Sequence, residues 1–140
     1  MKKFALLTLA ASTLILGGCV NQEQADAKMS KGCEAALMAK MGADTVKDVK
    51  MTGSEAQTTV DGEYRKINLT YVETGSFDET PLPAFCLFNE QWGIGKSSHT
   101  AILDQLSVNG DISGKQGGVV QGDLQDFLKL VDAAASGMGQ

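Results

Sequence analysis

The sequence predicts an α+β fold: a two-layer sandwich in which one antiparallel sheet carries an N-terminal and a C-terminal helix on one face. Three observations predict it. Apolar residues recur at helical spacing near both ends of the folded part. The stretch Glu63 to Glu73 alternates apolar and polar residues strictly. The turn dipeptides Asp61-Gly62 and Asn109-Gly110 separate extended segments, as hairpins require. A length of 140 residues accommodates one domain, and 43% apolar with 21% charged residues excludes wholesale disorder. There is no internal repeat.

The elements follow in order. Val20 to Ser30 (VNQEQADAKMS) is polar and lacks aromatics, so residues 19–30 are expected to form a tether. If flexible, about 10 such residues have a root-mean-square span of ~17–19 Å. Continuation of the first helix into this stretch is the competing expectation. Cys33, Ala36, Leu37 and Met41 define a short amphipathic helix over Lys31 to Met41, with Ser30 as N-cap and Gly42 as C-terminal cap. Val46 to Met51 and Gln57 to Val60 read as two extended segments. In Glu63 to Glu73, Ile67, Leu69 and Tyr71 face one way and Lys66, Asn68 and Thr70 the other, fitting a sheet with one wet face. Pro81 and Pro83 hold the chain extended before Ala84 to Phe88 (AFCLF), an apolar run expected as a central strand. Ala101 to Val108 places Ile102, Leu106 and Val108 on one face, which Asp104 interrupts. A Gly-rich stretch, Gly114 to Gly122, leads to the last helix. Asp123 caps it, Leu124, Phe127, Leu128, Val131, Ala134 and Ala135 form its apolar stripe, and residues 137–140 are expected to fray. The domain is thus placed at 31–136.

The first residues form an address. Lys2 and Lys3 are followed by 13 uncharged residues, Phe4 to Leu16, fewer than the ~20 a bilayer span needs. They fit the apolar region of a secretory signal over residues 1–18. The run Leu16-Gly17-Gly18-Cys19 resembles the lipobox of bacterial lipoproteins, with Gly17 departing from the usual Ala, Ser or Thr. The resemblance covers residues 1–19. It implies cleavage before Cys19 and a diacylglycerol on the Cys19 thiol, with the new amino group often acylated too. Several acyl chains make such attachment effectively permanent, where one chain binds only reversibly. In Gram-negative lipoproteins an Asp after the lipidated Cys favours the inner membrane. Val20 stands there, so the resemblance implies the outer membrane, facing the periplasm. The mature chain keeps 10 basic and 17 acidic residues, a net charge of −7. Nucleic acid is excluded as a partner on that balance, since phosphate binding needs a basic patch.

With Cys19 committed to lipid, Cys33 and Cys86 remain as an even pair in an exported chain, and a structural disulfide between them is expected. Closing a loop of about 54 residues restricts the unfolded state by ~4 kcal/mol on the chain-entropy model. No Cys-x-x-Cys motif supports redox chemistry. His99 is the only histidine, so no metal and no cofactor is expected. Ser97 or Ser98 with His99 and Asp104 makes a triad on paper only, because side chains so close in sequence rarely converge and the Gly-x-Ser-x-Gly elbow is missing. Gly95-Lys96-Ser97 ends like a phosphate loop, but Glu90 stands where the first glycine belongs. Asp78 and Glu79 read as surface acids before Pro81.

The most unusual local feature is Asn89 to Gly95, with the only tryptophan, Trp92, beside glycines. Trp92 is either an exposed partner-binding anchor or a cap on the core. Functionally, the chain reads as a non-catalytic, membrane-anchored envelope lipoprotein, a protein-binding or structural module whose partner is an envelope protein. The alternatives are an inhibitor or exclusion factor acting on a hydrolase or receptor through a protruding loop at 89–98, or a small-ligand carrier with an apolar pocket between sheet and helices. An enzyme would need a cleft of converging polar groups.

Overall fold

The computed structural model describes residues 18–140, so the expected signal at 1–17 lies outside the described residues. Helix α1 (Gln22–Met41) is followed by a 3-10 turn and six strands: β1 (Val46–Thr59), β2 (Gly62–Glu73), β3 (Leu82–Trp92), β4 (His99–Val108), β5 (Asp111–Gln116) and β6 (Val119–Gln121). Helix α2 (Leu124–Met138) closes the chain. The strands form one sheet in sequence order, every neighbouring pair antiparallel. The fold is α+β, with helices at the two chain ends of an antiparallel meander. No described helix is long and apolar enough to cross a membrane.

Helix α1 corrects the expected tether. It begins at Gln22, not Lys31, because Asn21 and Gln24 form a capping box. The Asn21 side chain accepts from the Gln24 backbone N–H at 2.8 Å, and the Gln24 side chain accepts from the Asn21 N–H at 3.2 Å. Ala25, Met29, Cys33, Ala36 and Leu37 then form one fully buried stripe. Ser30, expected as the cap, lies inside the helix.

The two extended segments before Asp61 are a single strand, β1, irregular between Lys47 and Lys50 and between Met51 and Gly53. Strand β2 carries Ile67, Leu69 and Tyr71 into the core as expected, and β3 contributes Ala84, Cys86 and Phe88. Strand β4 differs from expectation. Leu87 pairs with Gln105 but Phe88 pairs with Leu103, so Asp104 is the extra residue of a bulge. The bulge shifts the phase of the alternation: Ala101 and Leu103 precede it on the core side, and Leu106 and Val108 follow it there. Ile102 is left outside, 54% exposed. The Gly-rich stretch is a hairpin, β5–β6, turning at Gly117-Gly118 with positive φ at both.

Helix α2 has its expected cap, the Asp123 carboxylate accepting from the Asp126 N–H at 3.0 Å. Its buried face is rotated from the expected stripe. Phe127, Leu130, Ala134 and Met138 are buried, while Leu124 and Leu128 stay 53% and 44% exposed. The expected frayed tail is ordered: the helix runs to buried Met138, and the Gln140 side chain bridges the Ala101 N–H and C=O. The helices pack on each other at very close range. A Cβ at Gly137 would lie 2.7 Å from the Lys31 carbonyl oxygen and 2.8 Å from the Ala35 Cβ, so only hydrogen fits there. The expected disulfide joins Cys33 of α1 to Cys86 of β3, both fully buried.

Candidate functional site

The first turns of α1 bring Gln22 and Asp26, four residues apart on one helix face, against the sheet. There they meet Ser54 of β1, Arg65 of β2, Glu90 of β3 and His99 of β4. The Arg65 Nε donates to Asp26 Oδ1 at 2.8 Å and its Nη2 to Oδ2 at 2.5 Å, a two-point grip on the carboxylate. Ser54 accepts from Arg65 Nη2 at 2.8 Å and donates a very short hydrogen bond to Asp26 Oδ2. Gln22 Nε2 donates to both Asp26 Oδ1, at 2.8 Å, and Glu90 Oε1, at 3.1 Å. His99 Nε2 bonds the same Glu90 oxygen at 2.9 Å, with its side chain only 2% exposed.

Burial pushes the Asp26 carboxyl up. The hydrogen bonds from Arg65, Ser54 and Gln22, with the Arg65 charge, outweigh that and hold it below the usual carboxylate range. The Arg65 guanidinium is pushed up, chiefly by its bond to Asp26. Among the described residues, no fully buried side-chain nitrogen or oxygen lacks a partner. The six side chains form a satisfied network that fastens one helix to four strands. Sequence reading missed it because the bonds that tie the helix to the sheet join residues 28 to 68 apart. Only the Asn21/Gln24 capping signature could have pointed there, by placing Gln22 and Asp26 on a helix.

Trp92 is the last residue of β3, not part of a loop, and it pairs with His99. Its half-buried ring packs against the core, with the His99 ring centroid 4.5 Å away and Lys96 Nζ 5.7 Å from its own centroid. Of the two roles open to Trp92, this position favours the cap. The turn beyond it, residues 93–98, is closed by Gly93 N–H to Ser98 C=O at 2.9 Å. The same turn receives the start of the chain: the Val20 N–H donates to the Lys96 carbonyl at 3.0 Å. Cys19 is exposed beside it, a free thiol in this structure.

His99 and Asp104 do not converge. His99 is on the core side, and Asp104 is on the outer side with Lys115 Nζ at 3.2 Å. Asp104 helps to line a groove of about 540 Å³ on that outer side, with Tyr64, Asn89, Gln105 and Lys115. Burial, then the facing Asp104 carboxylate, raises the Tyr64 phenol above its ordinary range. The groove has a mixed polar and apolar lining, and it lies outside the sheet. Between sheet and helices, the buried side chains of both form one continuous core, and at its edge a groove of about 500 Å³ opens between Lys40 of α1, Asp111 and Ser113 of β5 and Asp126, Phe127 and Leu130 of α2. The outer Glu79 is paired with Lys47 at 2.6 Å. The chain matches no protein-family model, no curated protein and no solved structure.

Proposed function

We propose that this protein is a lipid-anchored bacterial envelope lipoprotein whose domain serves as a non-catalytic protein-binding module, held at the periplasmic face of the outer membrane. The observation that carries the reading is Leu16-Gly17-Gly18-Cys19 followed two residues later by the helix cap Asn21. A lipobox cysteine thus stands directly at the edge of a folded domain. We read the domain as a two-layer sandwich, supported by a core that draws on both helices and on one side of the strands. Its buried acids, arginine and histidine are bonded to one another, an arrangement suited to holding elements together. The part of the outer groove lined by Tyr64, Leu87, Asn89 and Gln105, within the strands and not at their connecting turns, is the surface we assign to an envelope protein partner. The disulfide accords with an oxidising compartment.

Palmitate labelling tests the reading. The wild-type chain takes up label and fractionates with outer membranes, and Cys19→Ala loses both. A photo-crosslinking residue at Asn89 joins one envelope protein, whereas the same residue at Thr74 does not. A wild-type chain that stays unlabelled and soluble ends the proposal.

A further inference from the structure

We infer that the end of the sheet carrying Cys19 lies against the phospholipid bilayer, with the turn at residues 93–98 as a second, non-covalent contact. This rests on the lipidation of Cys19 proposed above. In an antiparallel meander, the β1–β2, β3–β4 and β5–β6 connections all fall at one end of the sheet. The structure brings the outermost two of these together, since a Cβ at Gly118 would lie 3.6 Å from Asp61 Oδ1. The hydrogen bond from Val20 to Lys96 ties the anchor to the middle one.

The first two connections each present one branched aliphatic side chain to solvent, Val60 at 96% exposure and Ile94 at 98%, and Val119, the first strand residue after the third, is 63% exposed. Three such side chains at the sheet end that carries a lipidated cysteine are placed to enter a membrane interface. The acylated Cys19 holds its glycerol at headgroup depth. Lys96 is bonded to the very next residue, so the turn is within ~7 Å of that layer, two residue lengths of extended chain. Ile94 is the deepest of the three by its chemistry. Lys96 beside it can meet lipid phosphate, whereas Asp61 and Glu63 flank Val60 and hold that turn among the headgroups. With the tether replaced by helix, the domain has no slack to leave the surface. The β2–β3 connection at the opposite end, carrying fully exposed Phe77, points away from the bilayer.

The test uses the lipidated full-length mature protein in phosphatidylethanolamine–phosphatidylglycerol vesicles. Nitroxide labels are placed through Ile94→Cys, Val60→Cys, Val119→Cys and Phe77→Cys, and their access to oxygen and to a water-soluble nickel chelate is measured. The expected result is an oxygen-to-nickel ratio severalfold higher at 94 than at 77, with 60 and 119 between them. Trp92, the single tryptophan, gives a readout without substitution: brominated lipids quench its emission in wild type. Protein that floats with vesicles, yet has all four labels equally wet and Trp92 unquenched, overturns this inference and leaves the anchor standing. Wild-type protein that does not float overturns the anchor and this inference with it. Labels shielded from both reagents in detergent as well as in vesicles place that end against a second copy of the chain, and also overturn it.

Discussion

Asp26 is a charged residue on the buried face of a helix, 7% exposed, and Arg65 is what makes that tolerable. Removing one partner of such a pair leaves the other charge desolvated. Asp26→Asn is therefore expected to cost about 3 kcal/mol in denaturant unfolding at neutral pH. The pH dependence has a definite sign. A carboxyl held lower in the folded than in the unfolded chain adds stability above its unfolded value. That stability is lost as pH falls through the depressed folded value. Wild type should then lose part of its advantage over Asp26→Asn on acidification. Parallel stability–pH curves for the two would show that the contribution comes from packing, not from charge.

Helix packing is decided by hydrogen atoms at Gly32 and Gly137. A Cβ at Gly32 would lie 2.6 Å from Met138 Cγ and 2.9 Å from the Ala134 carbonyl oxygen, mirroring the close approach of Gly137 to α1. Gly137→Ala sets two effects against each other. Alanine favours the helix by ~1 kcal/mol in propensity. Its methyl group forces backbone apart and is expected to cost more than that, leaving a net loss of about 1–3 kcal/mol and a lower Tm. Ser136→Ala, one residue earlier and exposed, should move stability by less than about 0.5 kcal/mol. A Gly137→Ala variant more stable than wild type would mean that the helices separate freely.

At the scale of the whole molecule, the disulfide and the polar network act on the same helix. Cys33–Cys86 fastens the middle of α1 to β3 across a sequence separation of 53. The network fastens its start to β1, β2, β3 and β4. The double variant Cys33→Ala/Cys86→Ala is expected to lose about 2–4 kcal/mol of unfolding free energy while keeping its far-ultraviolet circular dichroism, because the core around the bridge remains. Loss of folded signal altogether would make the bridge a condition of folding.

Local chemistry was enough to read the strand alternation in β2, the Asp61-Gly62 and Asn109-Gly110 turns, the Asp123 cap and the pairing of Cys33 with Cys86. Each of these depends on neighbours in sequence or on counting. The candidate site was not legible in the same way. Six side chains on five elements meet only after the sheet has formed, and a polar residue such as Asp26 looks like solvent-facing chain until Arg65 arrives from β2. The phase of β4 needed the bulge at Asp104, which exists because β3 and β4 pair out of step. The buried face of α2 needed the position of α1, since Leu124 and Leu128 are as apolar as Leu130. Sequence by itself determined which segments can bury an apolar face and where the chain must turn. Tertiary structure alone decided which face is buried, because burial depends on what lies opposite, and which charges find each other, because their partners come from strands far away in the chain.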